Sequence, residues 1–238
     1  MISGSFLKKP LFGLIIYRMG MAEKLTDTYK HKGLRKNLVA LLKEKGISDE
    51  NVLHAIGTIP RHYFLDDIFL EFAYSDKAFR IGAGQTISQP YTVAYQTEVL
   101  NVKKGDLILE IGTGSGYQTS ILACLGAKII SIERIGSLHE KAKIMLKDLG
   151  YKAQLILGDG SKGYAAKQPY DKIIVTAGAP SIPDVLLKQL KIGGIMVIPV
   201  GDEKQQTMIS IMRTSESAFE KIVLDEFKFV PLLGDNAW

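Results

Sequence analysis

The sequence predicts an α/β fold: a doubly wound, mostly parallel seven-stranded sheet with an antiparallel C-terminal hairpin, plus N-terminal helices. Three observations carry this. From Gly105 onward short β-branched runs alternate with helical stretches, the pattern of parallel strands crossed over by helices on both faces. The first run, Leu107 to Ile111, leads directly into a glycine-rich turn and then a helix. The last two runs, Met208 to Arg213 and Lys221 to Val230, read as antiparallel strands.

Residues 1–21 hold Lys8, Lys9 and Pro10 ahead of the apolar run Leu11 to Tyr17. That run is too short to cross a bilayer and has no convincing small-residue cleavage site after it. It is expected to be a basic, apolar extension, with Met19 and Met21 as alternative starts to Met1. Leu34, Leu38, Leu41 and Leu42 then recur at helical spacing, and Gly46 stands where a C-terminal cap belongs. Ser48 is placed to cap a second helix, with Asp49 and Glu50 in its first turn, Val52 and Ile56 on its inner face and Pro60 beyond its end. Tyr63 to Gln89 has aromatic residues but no sustained period, and reads as a connecting region with a function of its own.

The remaining parallel strands are expected at Lys128 to Ile132, Gln154 to Leu157, Lys172 to Thr176 and Ile195 to Pro199. Between them, Leu138, Ala142, Met145, Leu146 and Leu149 make one helical face. Pro183 suits the first turn of another helix, which would bury Leu186, Leu187 and Leu190 before a stop at Gly193-Gly194.

Composition narrows the function. With 46% hydrophobic residues the chain has material for one full-sized core, which excludes disorder and repeat architectures. A single cysteine, Cys124 in an apolar stretch, excludes an internal disulfide and suits the cytoplasm. The formal charge is +5, but residues 1–45 hold ten Lys/Arg against three Asp/Glu and the rest twenty against twenty-two. The body that would carry a site is therefore not basic, which argues against nucleic acid as a partner. His31, His54, His62 and His139 show no metal-ligand spacing, so no metal is expected and the four are expected at surface or boundary positions.

The loop Glu110-Ile111-Gly112-Thr113-Gly114-Ser115-Gly116 carries the most chemistry. Its glycines allow close approach of a ligand to the backbone. The spacing G-x-G-x-G departs from the G-x-G-x-x-G of dinucleotide sites, and an acidic Glu110 before the turn would repel a pyrophosphate. The same carboxylate suits the ammonium and sulfonium charges of S-adenosylmethionine. Glu133, ending the second strand, is placed to accept from both ribose hydroxyls. Asp159, in Gly158-Asp159-Gly160 after the third, is placed to accept from the adenine amino group. Three acids at three successive strand ends behind one glycine loop point to this cofactor, with Gly112, Gly114, Gly116 and Gly160 giving backbone access. After the fourth strand the chain reads Thr176-Ala177-Gly178-Ala179-Pro180, not the Asn/Asp-Pro-Pro-aromatic stretch of amino-methylating enzymes.

Upstream, Gly82-Ala83-Gly84-Gln85-Thr86-Ile87-Ser88-Gln89-Pro90 precedes a helix. Together with Pro60-Arg61, Ala73-Tyr74, Asp76, Glu110 to Gln118, Ser131-Ile132-Glu133, Pro199-Val200-Gly201 and Phe229 to Leu232, this segment closely resembles the protein-L-isoaspartate O-methyltransferases from about Leu34 to Trp238. The resemblance implies methyl transfer to the free carboxylate of L-isoaspartyl residues in damaged proteins, the ester then cyclising unaided to a succinimide. It implies that Ser88 is the active-site serine, that Gln85 and Thr86 belong to a loop closing over cofactor and peptide, and that Val230 and Leu232 lie along the substrate backbone. A carboxylate is already ionised at neutral pH, so no general base is expected at Ser88; the residue also reads as a helix N-cap ahead of Pro90. The division expected is a single domain over 22–238, with N-terminal helices and substrate segment over 22–100 and the cofactor core over 101–238, acting as a monomer without a membrane partner. Two positions depart from the family pattern. Ala83 stands where an aromatic or histidine is common, and Gln96 where methionine is usual.

Overall fold

The computed structural model describes residues 26–235 and 237. The apolar run Leu11 to Tyr17 and the alternative starts at Met19 and Met21 lie outside the described residues. Helix α1 (Tyr29–Glu44) opens with a capping box, Thr28 and His31 exchanging side-chain-to-backbone bonds, and buries Leu38 and Leu42. Leu41 is on its outer side. Gly46 follows with φ +99°, the left-handed position that ends helices at low cost with glycine. Helix α2 (Glu50–Thr58) is capped by Asp49, which accepts from the Asn51 and Val52 amides, and not by Ser48 as the sequence suggested. The reason is tertiary. Glu98 Oε1 takes both the amide (2.8 Å) and hydroxyl (3.0 Å) of Ser48 and the amide of Asp49 (2.6 Å).

The aperiodic stretch is two short 3-10 turns (Arg61–Phe64 and Asp67–Phe72) followed by a hairpin, β1 (Phe79–Gly82) and β2 (Gln85–Ile87). Gly82, Ala83 and Gly84 all have positive φ in its turn, which is why the sequence there is small and unbranched. Helix α3 (Pro90–Leu100) starts with proline at its first turn.

The main sheet has strands β3 (Leu107–Ile111), β4 (Lys128–Glu133), β5 (Gln154–Leu157), β6 (Tyr170–Val175), β7 (Leu190–Gly201), β8 (Gln206–Arg213) and β9 (Phe219–Phe227). Their spatial order is β5-β4-β3-β6-β7-β8-β9, parallel through β7 and antiparallel beyond it, as expected. Helices α4 (Tyr117–Cys124), α5 (Gly136–Asp148) and α6 (Asp184–Gln189) occupy the connections. Successive strand residues face opposite layers. Leu109, Ile111, Ile173 and Val175 pack in one cluster, Ile108, Ile129, Ile174 and Val197 in another. Each such side chain taken out of water contributes about 1.5–3 kcal/mol.

One helix stop was misplaced. Pro183 precedes α6 as its cap, Leu190 already belongs to β7, and Gly193-Gly194 lies inside that strand. A Cβ on Gly194 would come within 2.9 Å of the Asp171 carbonyl where the β6–β7 register shifts, so glycine serves a bulge there. The final strand also ends early, at Phe227, because the chain leaves the hairpin for the site. The Phe229 amide donates to Gln206 Oε1 (2.7 Å), Gly178 N donates to the Val230 carbonyl (2.8 Å) and Leu232 N to the Gly178 carbonyl (2.7 Å). No helix among the described residues is long and apolar enough to cross a membrane.

Candidate functional site

The turn after β3 is held open by its glycines. Gly112, Gly114 and Gly116 have φ +96°, +55° and +87°. A Cβ on Gly112 would stand 2.5 Å from Thr176 Oγ1. That hydroxyl clamps the turn by donating to the carbonyls of Ile111 (3.0 Å) and Gly112 (2.7 Å). Gly116, predicted to approach the cofactor, instead caps α4 and faces Leu146, whose Cγ a Cβ would meet at 3.3 Å. It sets how closely helix packs on helix.

A cavity beside this turn is lined by eight of the predicted residues: Gln85, Thr86, Gly112, Gly114, Glu133, Gly160, Val230 and Leu232. Glu133 is fixed by two amides, Gly114 N to Oε2 (2.7 Å) and Ile135 N to Oε1 (2.9 Å). The other two acids lie off the cavity surface. Glu110 is fully buried under the loop, with Thr119 donating to Oε2 at 2.5 Å and Oε1 without a well-formed hydrogen bond to a described residue. Burial pushes its carboxyl up to about 7, against the hydroxyls of Thr119 and Ser131, and the charge of Glu133 adds to the rise. Asp159 accepts from Ser161 N (3.0 Å) and Oγ (2.8 Å), and from Asp235 N (2.9 Å) of the C-terminal tail. Burial opposes its ionisation, but those donors and Arg134 outweigh it and hold its carboxyl below the usual range.

A larger groove adjoins, bounded by Ser88, Tyr91, Phe227, Lys228, Phe229 and Val230. A small cleft joining the two regions touches Ser88, Gly112, Gly114 and Tyr117, and Thr86 and Thr176 border all three spaces. The glycine turn and Ser88 therefore face a common junction. Ser88 is half-buried, and its hydroxyl makes no hydrogen bond to a described residue. It does not cap α3, since that position belongs to Gln89.

Sequence reasoning missed several neighbours. Thr176 was visible only as a strand end, and Ile135, Leu138 and Leu233 enter the cavity by following or facing predicted residues. The histidine expectation fails for two positions, as His62 and His139 are buried. His62 also meets Asp27 and His31, their ligating atoms all within 4.8 Å. These groups satisfy one another and their surroundings: both Asp27 oxygens accept from Arg35 (3.0 and 2.8 Å), and His62 Nδ1 meets the Tyr74 hydroxyl at 2.6 Å. Burial, with the neighbouring His31 charge, lowers His62 to about 4. Cys124 is half-buried against the N-terminal core, and burial raises its thiol.

Residues 33–237 match the family model of protein-L-isoaspartate(D-aspartate) O-methyltransferase. A protein-L-isoaspartate O-methyltransferase of Cytophaga hutchinsonii is 56% identical over 214 residues, covering 90% of this chain and 97% of the relative. Among solved structures, a protein-L-isoaspartate O-methyltransferase superposes with TM-score 0.76 at 29% identity, covering 85% of this chain and 67% of the other. A beta-aspartate methyltransferase of Plasmodium falciparum, solved with S-adenosyl-L-homocysteine, gives TM-score 0.74 at 25% identity over 84% of this chain and 99% of that one. With the glycine turn and the serine segment meeting at one junction beside a cavity that Glu133 lines, the chain belongs to the protein-L-isoaspartate O-methyltransferase family.

Proposed function

We propose that this protein repairs damaged proteins by moving the methyl group of S-adenosylmethionine to the free carboxylate of L-isoaspartyl residues. The observation that carries the reading is the shared junction, where the Gly112–Gly114 turn and Ser88 border one cleft between two larger spaces. The residues fit the cofactor. Gly112 and Gly114 line the cavity with bare backbone, Glu133 has its backbone-facing lone pairs satisfied, and Glu110 keeps a buried oxygen without a hydrogen-bond partner among the described residues. Glu133 would hold the ribose hydroxyls, Asp159 and Gly160 the adenine edge, and Gln85 and Thr86 would close over the top. When bound, S-adenosylmethionine supplies an electrophilic methyl on a positively charged sulfur.

The protein's part is positional. A substrate carboxylate needs no base, so Ser88 serves as a donor that orients one carboxylate oxygen while the other stays free to attack. Val230 and Leu232, tied to Gly178, present the wall along which the peptide lies. Thr86 of the hairpin and the rings of Tyr91 and Phe227 border the groove, where a seated peptide would complete the shielding of the junction from water. We place the whole activity in one domain over 22–238, working as a cytoplasmic monomer without nucleic acid.

The test is incubation with labelled S-adenosylmethionine and paired peptides that differ only in isoaspartyl or aspartyl at one site. A base-labile ester on the isoaspartyl peptide alone is expected. Equal labelling of both would make it a broader carboxyl methyltransferase, and no ester on either would sink the reading. Replacing Ser88→Ala is expected to lower kcat/KM for the peptide roughly tenfold, the worth of one hydrogen bond to a charged group, with S-adenosylhomocysteine affinity unchanged. Asp159→Ala should do the reverse. Parallel losses in both measurements for both variants would contradict the assignment.

A further inference from the structure

Arg61 is fully buried, yet no carboxylate pairs with it among the described residues. Its Nη2 donates to the carbonyl of Ser88 (2.8 Å) and that of Lys77 (3.3 Å), on either side of the β1–β2 hairpin. Its guanidinium carbon lies 4.9 Å from the ring centroid of Tyr117, the residue that follows the glycine turn and borders the junction cleft. Nε, Nη1 and the Tyr117 hydroxyl are buried with no well-formed hydrogen bond to a described residue, so beyond the Tyr117 hydroxyl and the more distant charge of Asp76 little offsets the guanidinium. The nearest acid in the same region, Asp76, is already engaged by Lys45 (2.6 Å), the Gln89 amide (2.9 Å) and the Tyr91 backbone (2.8 Å).

An arginine isolated in this way is costly, because a buried charge is normally paired. Burial acts on it accordingly, pushing the guanidinium below its ordinary value. The missing counter-charge has a natural source. The reading above brings a carboxylate to Ser88, the residue whose carbonyl Arg61 holds.

We propose that Arg61 is the positioning residue of the acceptor site: it fixes the main chain of Ser88 from behind and supplies the positive charge that the substrate carboxylate balances. The inference rests on the placement of that carboxylate at Ser88. The charge has a specific kinetic consequence. Methyl transfer joins a carboxylate anion to a methyl on a sulfonium and leaves a neutral ester and a neutral thioether, so negative charge fades in the transition state. A fixed cation therefore favours the bound carboxylate somewhat more than the transition state, and its removal raises KM while kcat stays level or rises slightly.

The test compares wild type, Arg61→Met, Arg61→Lys and Ser88→Ala on an isoaspartyl peptide, with S-adenosylhomocysteine affinity by calorimetry and thermal midpoint alongside. Arg61→Met is expected to raise the peptide KM at least tenfold, with kcat within about threefold and S-adenosylhomocysteine affinity unchanged. Arg61→Lys keeps the charge and is expected to return KM to within about threefold of wild type. If the Met variant does not fold, Arg61→Gln, which keeps a donor without charge, takes its place with the same expectation. A merely structural arginine would instead lower the thermal midpoint and kcat together and leave KM alone; that result overturns the proposal, as does a Lys variant as impaired as the Met variant. Ser88→Ala with unchanged kcat/KM would overturn the anchoring of the carboxylate at Ser88, and the role of Arg61 with it. A normal Ser88→Ala response beside an unchanged KM in Arg61→Met overturns Arg61 alone.

Discussion

Gly112→Ala is expected to weaken S-adenosylhomocysteine binding at least a hundredfold and to lower stability by about 2–4 kcal/mol, the range of substitutions that add strain and overlap inside a core. Two costs add at this position. An L side chain at φ +96° is strained, by roughly 1 kcal/mol or more. Its Cβ would also stand 2.5 Å from Thr176 Oγ1, the hydroxyl that clamps the turn through the Ile111 and Gly112 carbonyls. Relief requires either Thr176 to swing away, releasing both carbonyls, or the turn to lift into the space where the cofactor belongs. Both displace Gly114, and with it the amide that holds Glu133. Gly150→Ala is the control, since Gly150 also has positive φ (+74°) but a Cβ there meets nothing within 4 Å. It should cost about 1 kcal/mol of strain and leave binding intact. Calorimetry and thermal melts of the two variants separate strain from overlap, and a Gly112→Ala protein that binds within threefold of wild type would refute the account.

The features legible in the sequence were those written locally. Strand alternation, the glycine turn and the acids at strand ends each report backbone geometry within a few residues, whereas the spatial order of the strands came only with the fold. What escaped depends on distant partners. Ser48 has the right chemistry for a cap, but Glu98, fifty residues away, claims it. Gly193-Gly194 resembles a helix stop because a bulge and a cap call for the same residue. Asp159 meets the amide of Asp235 across 76 positions, so its carboxylate was assigned to a ligand alone when it also anchors the tail. Arg61 stands out in the sequence only as part of a family pattern, since nothing nearby announces that it is buried without an acid. Histidines 62 and 139 went the same way: burial of a polar residue is decided by what packs over it.

Glu110→Gln should change how stability depends on pH, and the sign is fixed by the direction of the shift. The folded protein holds this carboxyl near 7, above its ordinary 4.5, so it binds a proton more tightly than the unfolded chain does. Wild type therefore has its full share of stability from this group below about pH 4.5 and loses it as pH rises through 7, by roughly 3 kcal/mol in all. Glutamine carries no such titration. Between pH 5 and pH 8 the midpoint of wild type should fall relative to Glu110→Gln by several degrees, at about 2–4 °C per kcal/mol for a chain of this size. Binding should show the opposite trend. The sulfonium and ammonium charges of S-adenosylmethionine favour the ionised carboxylate, so wild-type affinity for S-adenosylmethionine should climb as pH rises toward 7 and level off beyond it, with protons released on binding. Glu110→Gln should bind at least tenfold more weakly at pH 8 and show neither the climb nor the release. A wild-type protein whose midpoint difference from the glutamine variant is the same at pH 5 and pH 8 would mean that Glu110 is ionised throughout, and the buried carboxylate would then need a partner that its free Oε1 does not have. The two measurements test one claim from opposite sides, that the protein keeps a buried acid at a cost to its own stability because the ligand's positive charge recovers that cost on binding.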